Sequence, residues 1–277
     1  MKIDSHQHFW SFEAMEYPWI NDNNSSLKRN YLPADLLPEL LREGFTGCVA
    51  VQAREKIEES TFLLNLADHD PFIRGVVGWV DLESANVARD LSRLSNHPKF
   101  CGVRAILQDK ADDYYMLRPD FVRGIAALQI FDLAYDLLIF PKHLKPAIEL
   151  VQQFPHQRFV LDHIAKPRIK DQVQSPWDED LLALAQSPNV CCKLSGMVTE
   201  ANPNAWQQQD FTPYLETVWR AFGPDRLMFG SDWPVALLAG SYGDVVGIIS
   251  KFLHSKSESD QRKVWGENAT RFYQLKP

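Results

Sequence analysis

At 277 residues, with 45% hydrophobic and 23% charged side chains, the chain has ordinary globular composition and is long enough to bury a large core. Its net charge of −7, with no run of more than two Lys or Arg, argues against nucleic acid as a partner. No apolar run approaches the roughly 18 residues of a membrane span, and the first strand pattern starts at residue 2, which leaves no room for a signal peptide.

That first strand reads Lys2-Ile3-Asp4-Ser5-His6-Gln7-His8-Phe9-Trp10. Strand side chains alternate faces, so His6 and His8 share one face, about 7 Å apart along the backbone. Two imidazoles there can share a metal ion or clamp a substrate oxygen; the same pair also serves as polar residues closing a strand. Ser11–Tyr31 follows, aromatic, Asn-rich and interrupted by Pro18, too long for a simple connection and so a functional or a mobile loop. Pro33-Ala34-Asp35 opens a helix over Leu36, Leu37, Leu40 and Leu41, which Gly44 closes.

The pattern then repeats. Strands are expected at Cys48–Gln52, Ile73–Val80, Phe100–Leu107, Leu133–Phe140, Phe159–His163, Val190–Ser195 and Leu227–Gly230. Helices are expected over Ser60–Asp68, Ala85–Leu94, Asp120–Gln129, Leu144–Gln153, Asp178–Gln186 and Tyr214–Phe222, with a final, broken helical stretch over Val245–Phe272. The strands are short, apolar and non-alternating, as parallel strands covered on both faces require. Eight strand-then-helix units spread over the whole chain fit a closed (β/α)8 TIM barrel better than an open sheet. No glycine-rich dinucleotide fingerprint follows the first strand. No linker or composition break divides the chain, so residues 1–277 read as one domain.

In such barrels the active site lies at the C-terminal ends of the strands. Those ends carry His6 and His8, Gln52 and Arg54, Trp79 and Asp81, Arg104 and Gln108, Asp162, His163 and Lys166, Lys193 and Ser195, and Ser231, Asp232 and Trp233. Polar residues thus gather on one rim. Asp162, opposite in parity to His163, is expected to face the helices. Lys193 lies in an otherwise apolar strand, where an unpaired ammonium is costly, so it either reaches the mouth or pairs with an acid. Arg104 is a candidate for binding a substrate oxygen, or else a structural carboxylate. Trp10, Trp19, Trp79 and Trp233 read as walls of the pocket or core rather than individually catalytic. His69, His97, His156 and His254 fall on helices or turns away from it.

His6-x-His8, a His ending strand six and an Asp ending strand eight resemble the amidohydrolase superfamily. Within it, Asp162-His163-Ile164-Ala165-Lys166-Pro167, Cys192-Lys193-Leu194-Ser195-Gly196 and Phe229-Gly230-Ser231-Asp232-Trp233-Pro234 are similar to the sugar-lactonase branch. That branch holds L-fuconolactonases, L-rhamnonolactonases and 2-pyrone-4,6-dicarboxylate lactonases. Gly75–Leu82 and Gly102-Val103-Arg104 also look like the L-fuconolactonase type. Many superfamily members place a metal-bridging Lys at the end of strand five, where this chain has Leu138-Ile139-Phe140, so a two-metal site is not expected. Lys142 and His143, beyond Pro141, read as helix-start residues.

The resemblance implies an enzyme that opens an aldonolactone by water attack. Asp232 is the candidate base, and His163, His6 and His8 polarise the carbonyl, directly or by holding one divalent metal. His6, His8, His163 and Asp232 form a sensible zinc set, and metal-independent catalysis is equally open to this branch. Arg104, Gln52, Trp79 and Lys193 are the expected substrate-binding residues. Decarboxylases of the same superfamily are the main rival reading. The expected partner is a small lactone, with no nucleic acid and no membrane. Four cysteines without a CxxC, all in apolar runs, read as buried thiols of a reducing cytoplasm. The long Ser11–Tyr31 loop, following the histidines, is expected over the barrel mouth.

Overall fold

The computed structural model describes residues 1–203 and 205–276. Eight parallel strands pair in sequence order: β1 Ile3–Gln7, β2 Gly47–Val51, β3 Ile73–Gly78, β4 Phe100–Ile106, β5 Ala134–Leu138, β6 Phe159–Leu161, β7 Val190–Leu194 and β8 Leu227–Phe229. The sheet closes on itself just past β8. Gln7 bridges Trp233, the Asp232 amide donates to the His6 carbonyl at 2.8 Å, and the His8 amide donates to the Trp233 carbonyl at 2.7 Å. The architecture is the expected (β/α)8 barrel.

Helices α1 Pro33–Arg42, α2 Ile57–His69, α3 Val87–Ser95, α4 Pro119–Ile130, α5 Leu144–Gln153, α6 Trp177–Leu184, α7 Gln208–Phe222 and α8 Tyr242–Leu253 cover the barrel. Each buries an apolar stripe at helical spacing, as Leu36 and Leu40 do in α1 and Phe211, Leu215 and Val218 in α7. α7 starts six residues earlier than the sequence suggested and runs across Pro213. The Asp210 carboxylate accepts the Gln207 amide at 2.8 Å, and the apolar stripe offsets the hydrogen bond that proline removes. The final helical stretch is broken, as expected, into α8, α9 Glu258–Arg262 and α10 Asn268–Phe272.

Two apolar layers result. Cys48, Ala50 and Val76 belong to the layer shared with the helices. Val49, Val51, Val77, Val160 and Met228 pack instead with Ala269, Phe272, Tyr273 and Leu275, so the chain's last turn plugs one end of the barrel. The long segment after β1 is ordered against the barrel. Trp10 and Tyr31 exchange backbone hydrogen bonds at 2.9 Å, Tyr17, Ile20 and Leu27 are buried, and Asp22–Leu27 forms a 3-10 turn.

Strand β6 ends at Leu161, two residues sooner than expected. From His163 the backbone turns left-handed for four residues in succession, with φ of 54° at His163, 49° at Ile164, 61° at Ala165 and 50° at Lys166. Non-glycine residues avoid this region at roughly 1–2 kcal/mol each, so the turn is held by outside contacts. The Lys166 amide donates to the His163 carbonyl at 2.7 Å, and the Trp177 indole donates to the Ile164 carbonyl at 2.7 Å.

Candidate active site

His6, His8, His163 and Asp232 converge at the C-terminal ends of the strands, all buried. The Nε2 atoms of His8, His6 and His163 lie 3.3, 3.8 and 3.9 Å from Asp232 Oδ1. The His6 ring centroid is 5.0 Å from that of His8 and 4.4 Å from that of His163. Two glycines make room for the rings. A Cβ on Gly196 would stand 2.5 Å from His163 Nδ1, and one on Gly230 would stand 2.6 Å from the His6 Cβ.

The other ring nitrogens are anchored. His8 Nδ1 is 2.8 Å from the Val51 carbonyl, which only accepts, so Nδ1 carries the proton. His163 Nδ1 bonds Ser195 Oγ at 2.9 Å. His6 Nδ1 sits 3.3 Å from Asp162 Oδ1 and 3.0 Å from Lys193 Nζ, while Arg104 Nη1 lies 3.1 Å from its Nε2.

Asp162 does not face the helices, as parity predicted. Because the strand stops at Leu161, alternation no longer applies, and Asp162 joins His163 on the inside. There it pairs with Arg104 at 3.0 Å and Lys193 at 3.0 Å. Lys193 also pairs with Asp136 at 2.5 Å, and Tyr273 donates its hydroxyl to the same Asp136 carboxylate. This network of two acids and two bases is sealed under the histidines.

Three expected substrate-binding residues therefore lie elsewhere. Lys193 is 0% exposed and spends its charge on Asp136 and Asp162. Gln52 is equally buried and braces Arg104, donating to the Arg104 carbonyl at 3.1 Å and accepting from its guanidinium. Trp79 leaves the sheet after β3, fixed by Ser60 Oγ at 2.7 Å from its amide, and borders a neighbouring recess with Glu55 and Tyr115. Arg104 does reach the cavity above the histidine cluster. Lys142 and His143 lie in the 3-10 turn Pro141–His143 that leads into α5, near the helix start expected for them, with His143 Nδ1 accepting the Phe140 amide at 3.1 Å.

The cavity above the cluster measures about 150 Å³. His8, His163, Asp232, Arg104, Gln108, Asp109 and Lys166 supply its polar wall; Trp19, Ala53, Ile106, Leu138 and Val235 supply an apolar one. Trp19 comes from the long segment after β1, which thus covers part of the mouth, and its indole donates to the Ala53 carbonyl at 2.9 Å. Gln108 and Lys166 stand at strand ends in the sequence, and Trp19 is one of the tryptophans expected as pocket wall or core.

Burial dominates the electrostatics. It pushes His6 well below its ordinary value, lowers His8, and takes His163 down to about 4. Burial alone would raise Asp232, but His163, His8 and His6 outweigh it and hold the carboxyl below the usual range. Asp162 is held down in the same way by Lys193, His6 and Arg104, whereas burial raises Asp136 to about 6. At neutral pH the cluster is one carboxylate among neutral imidazoles.

The donor set fits a metal ion. With Nδ1 of His8 protonated, its Nε2 lone pair faces a carboxylate oxygen at 3.3 Å, a repulsion that a cation between them would relieve. Ligands around a tetrahedral zinc stand about 3.4 Å apart, given bonds of 2.0–2.2 Å. The spacings of 3.3, 3.8 and 3.9 Å bracket that value. His6, His8 and Asp232 also bring ligand atoms within 4.8 Å of one another, as do His6, Asp162 and His163.

Comparison with known proteins agrees with this geometry. L-fucono-1,5-lactonases of Burkholderia ambifaria and Burkholderia multivorans are 38% and 39% identical to the chain, each covering 99% of it and 96% of the relative. A crystal structure of a Burkholderia multivorans amidohydrolase with bound zinc superposes with a TM-score of 0.95 at 39% identity, covering both chains fully. A Rhizobium 2,6-dihydroxybenzoate decarboxylase, 15% identical with a TM-score of 0.69 over 99% of this chain and 98% of its own, shares the fold alone. The amidohydrolase family description matches residues 3–275, and with it the whole barrel and every member of the cluster. The chain belongs to the amidohydrolase family.

Proposed function

We propose that this enzyme opens a sugar lactone, an aldono-1,5-lactone of the L-fucono type, to the hydroxy acid. The observation that carries the reading is the ionised Asp232 facing three neutral imidazoles on the floor of a cavity with one polar and one apolar wall. The relatives named L-fucono-1,5-lactonase support the choice of substrate. In this reading Asp232 takes a proton from a water molecule, whose oxygen bonds to the lactone carbonyl carbon. The bond from that carbon to the ring oxygen breaks, and the ring oxygen receives the proton back. The new carboxylic acid then releases a proton to solvent, so each turnover consumes one water and yields one proton at neutral pH.

His163 and Arg104, on the same wall, stabilise the negative charge that grows on the carbonyl oxygen. A divalent metal held by His6, His8, His163 and Asp232 would add Lewis acidity at the carbonyl and lower the pKa of bound water. Trp19 closes one side of the cavity and limits water around the reacting bond. No helix among the described residues is long and apolar enough to cross a membrane. We place the enzyme in the cytoplasm, a reading supported by four free cysteines, three of them buried.

Assaying L-fucono-1,5-lactone beside other 1,4- and 1,5-aldonolactones with a pH indicator, before and after chelation, tests the proposal. Acid release above the spontaneous rate is the expected result. No acceleration with any lactone, with zinc restored, would overturn it.

A further inference from the structure

The cavity holds two cations, and they differ. Arg104 is committed to Asp162, to His6 and to the Gln52 carbonyl. Lys166 has no carboxylate within ion-pair distance among the described residues; its ammonium lies 5.7 Å from the Phe140 ring centroid. Glu200 senses its charge from beyond 4 Å. Lys166 therefore brings the one uncompensated positive charge on the cavity wall.

The backbone that delivers it is unusual. Four left-handed residues in a row, Ile164 among them, carry the chain from His163 to Lys166. An ordinary continuation of β6 would have alternated these side chains between barrel interior and helices. The turn instead sets both His163 and Lys166 on the cavity, and strain of this kind persists where the surroundings enforce it. A buried acceptor, Gln108 Oε1, and a buried donor, Arg104 Nε, stand on the same wall without protein partners. Such groups await a polar ligand.

We infer that Lys166 is the anion seat of this cavity, binding the carboxylate that forms when the lactone ring opens. The inference rests on the lactonase reading for the origin of that carboxylate. Lactone and product differ by one full negative charge. Ring opening creates it beside His163, the residue that begins the turn ending at Lys166. Arg104, already neutralised by Asp162, answers this charge less well than an unpaired ammonium.

The test compares binding of L-fuconate with that of L-fucitol, the neutral alcohol of the same length, by calorimetry on the unaltered protein, Lys166→Met and Lys166→Arg. The unaltered protein is expected to prefer fuconate by about tenfold to a hundredfold, the range of a charge-assisted hydrogen bond. Lys166→Met is expected to lose that preference while holding fucitol within about twofold, and Lys166→Arg to keep most of it. A preference that survives in Lys166→Met, or its absence from the unaltered protein, overturns the inference. Lactone turnover by the unaltered protein is measured separately. Turnover with an unchanged preference in Lys166→Met removes the anion seat alone; no turnover with a preference that depends on Lys166 removes the lactonase reading alone.

Discussion

Replacing Lys193 by Met leaves two carboxylates buried without their shared counter-ion. In the intact protein the ammonium is 2.5 Å from Asp136 and 3.0 Å from Asp162, and all three side chains are 0% exposed. With an effective dielectric of about 20, those contacts contribute roughly 7 and 5–6 kcal/mol of attraction. Most of that offsets the desolvation of the three ions. Removing one partner of a buried pair nevertheless costs about 3–5 kcal/mol, because the remaining charge has no compensation. Arg104 still neutralises Asp162, so Asp136, with only the Tyr273 hydroxyl left, bears most of the loss. The expected destabilisation is about 3–5 kcal/mol, or a fall of roughly 5–9 °C in Tm at this chain length. Urea unfolding followed by circular dichroism measures it, and adding Asp136→Asn to Lys193→Met is expected to restore more than half. A loss below about 1 kcal/mol, or a raised KM in a protein of unchanged stability, would refute the reasoning and return Lys193 to the substrate.

Asp232→Asn is expected to keep the fold and to lower lactone hydrolysis by about 10²–10⁴-fold, since an amide cannot take the proton; a rate within about threefold of the parent would move the base elsewhere, with His163 next. Trp19→Ala removes a cavity wall and the bond to the Ala53 carbonyl, and steady-state kinetics are expected to show KM raised several-fold in a folded protein. Deleting Tyr17–Asn24, by contrast, is expected to harm folding, because Tyr17 and Ile20 are buried, and thermal melting checks this. Glu59 offers a pH test that does not involve the histidines themselves. Its carboxylate accepts the Ala53 and Arg54 amides at 2.8 Å, and burial raises its pKa from 4.5 to about 7. A carboxyl raised on folding contributes stability that is present below pH 4.5 and lost as pH climbs through 7, here up to about 3 kcal/mol. Urea unfolding at pH 5 and pH 8 is expected to show a smaller difference in Glu59→Gln by up to that amount.

The barrel was legible because buried parallel strands leave an unmistakable mark. Runs such as Cys48-Val49-Ala50-Val51 are apolar on both faces, and a helix follows each one. The proposed catalytic cluster was legible for a related reason: in a barrel, a polar residue that ends such a run must stand at the rim. His6, His8, His163 and Asp232 all announced themselves in this way. Alternation failed where the backbone stopped being a strand. Nothing between His163 and Lys166 is glycine, so the left-handed turn leaves no trace in the sequence, and Asp162 was assigned to the wrong face. Lys193 was narrowed to two fates, and the deciding partner, Asp136, lay 57 residues away. Trp79 misled for want of a local signal that Ser60 would pin its backbone.

The seam between β1 and β8 is made by residues of the cluster itself. The Asp232 amide meets the His6 carbonyl, and the His8 amide meets the carbonyl of Trp233. Nearby, Ser5 Oγ donates to the Phe229 carbonyl across 224 residues of sequence. Ring closure and assembly of the proposed catalytic groups thus draw on the same contacts, whose large sequence separation slows their formation. His6 lies in β1, His8 directly after it, and Asp232 follows β8, so the cluster is incomplete until the last strand has joined the first. Until then those histidines sit on an unpaired edge, the kind of surface that invites non-native strand pairing. Closing the ring and bringing Asp232 to the histidines are therefore the same contact.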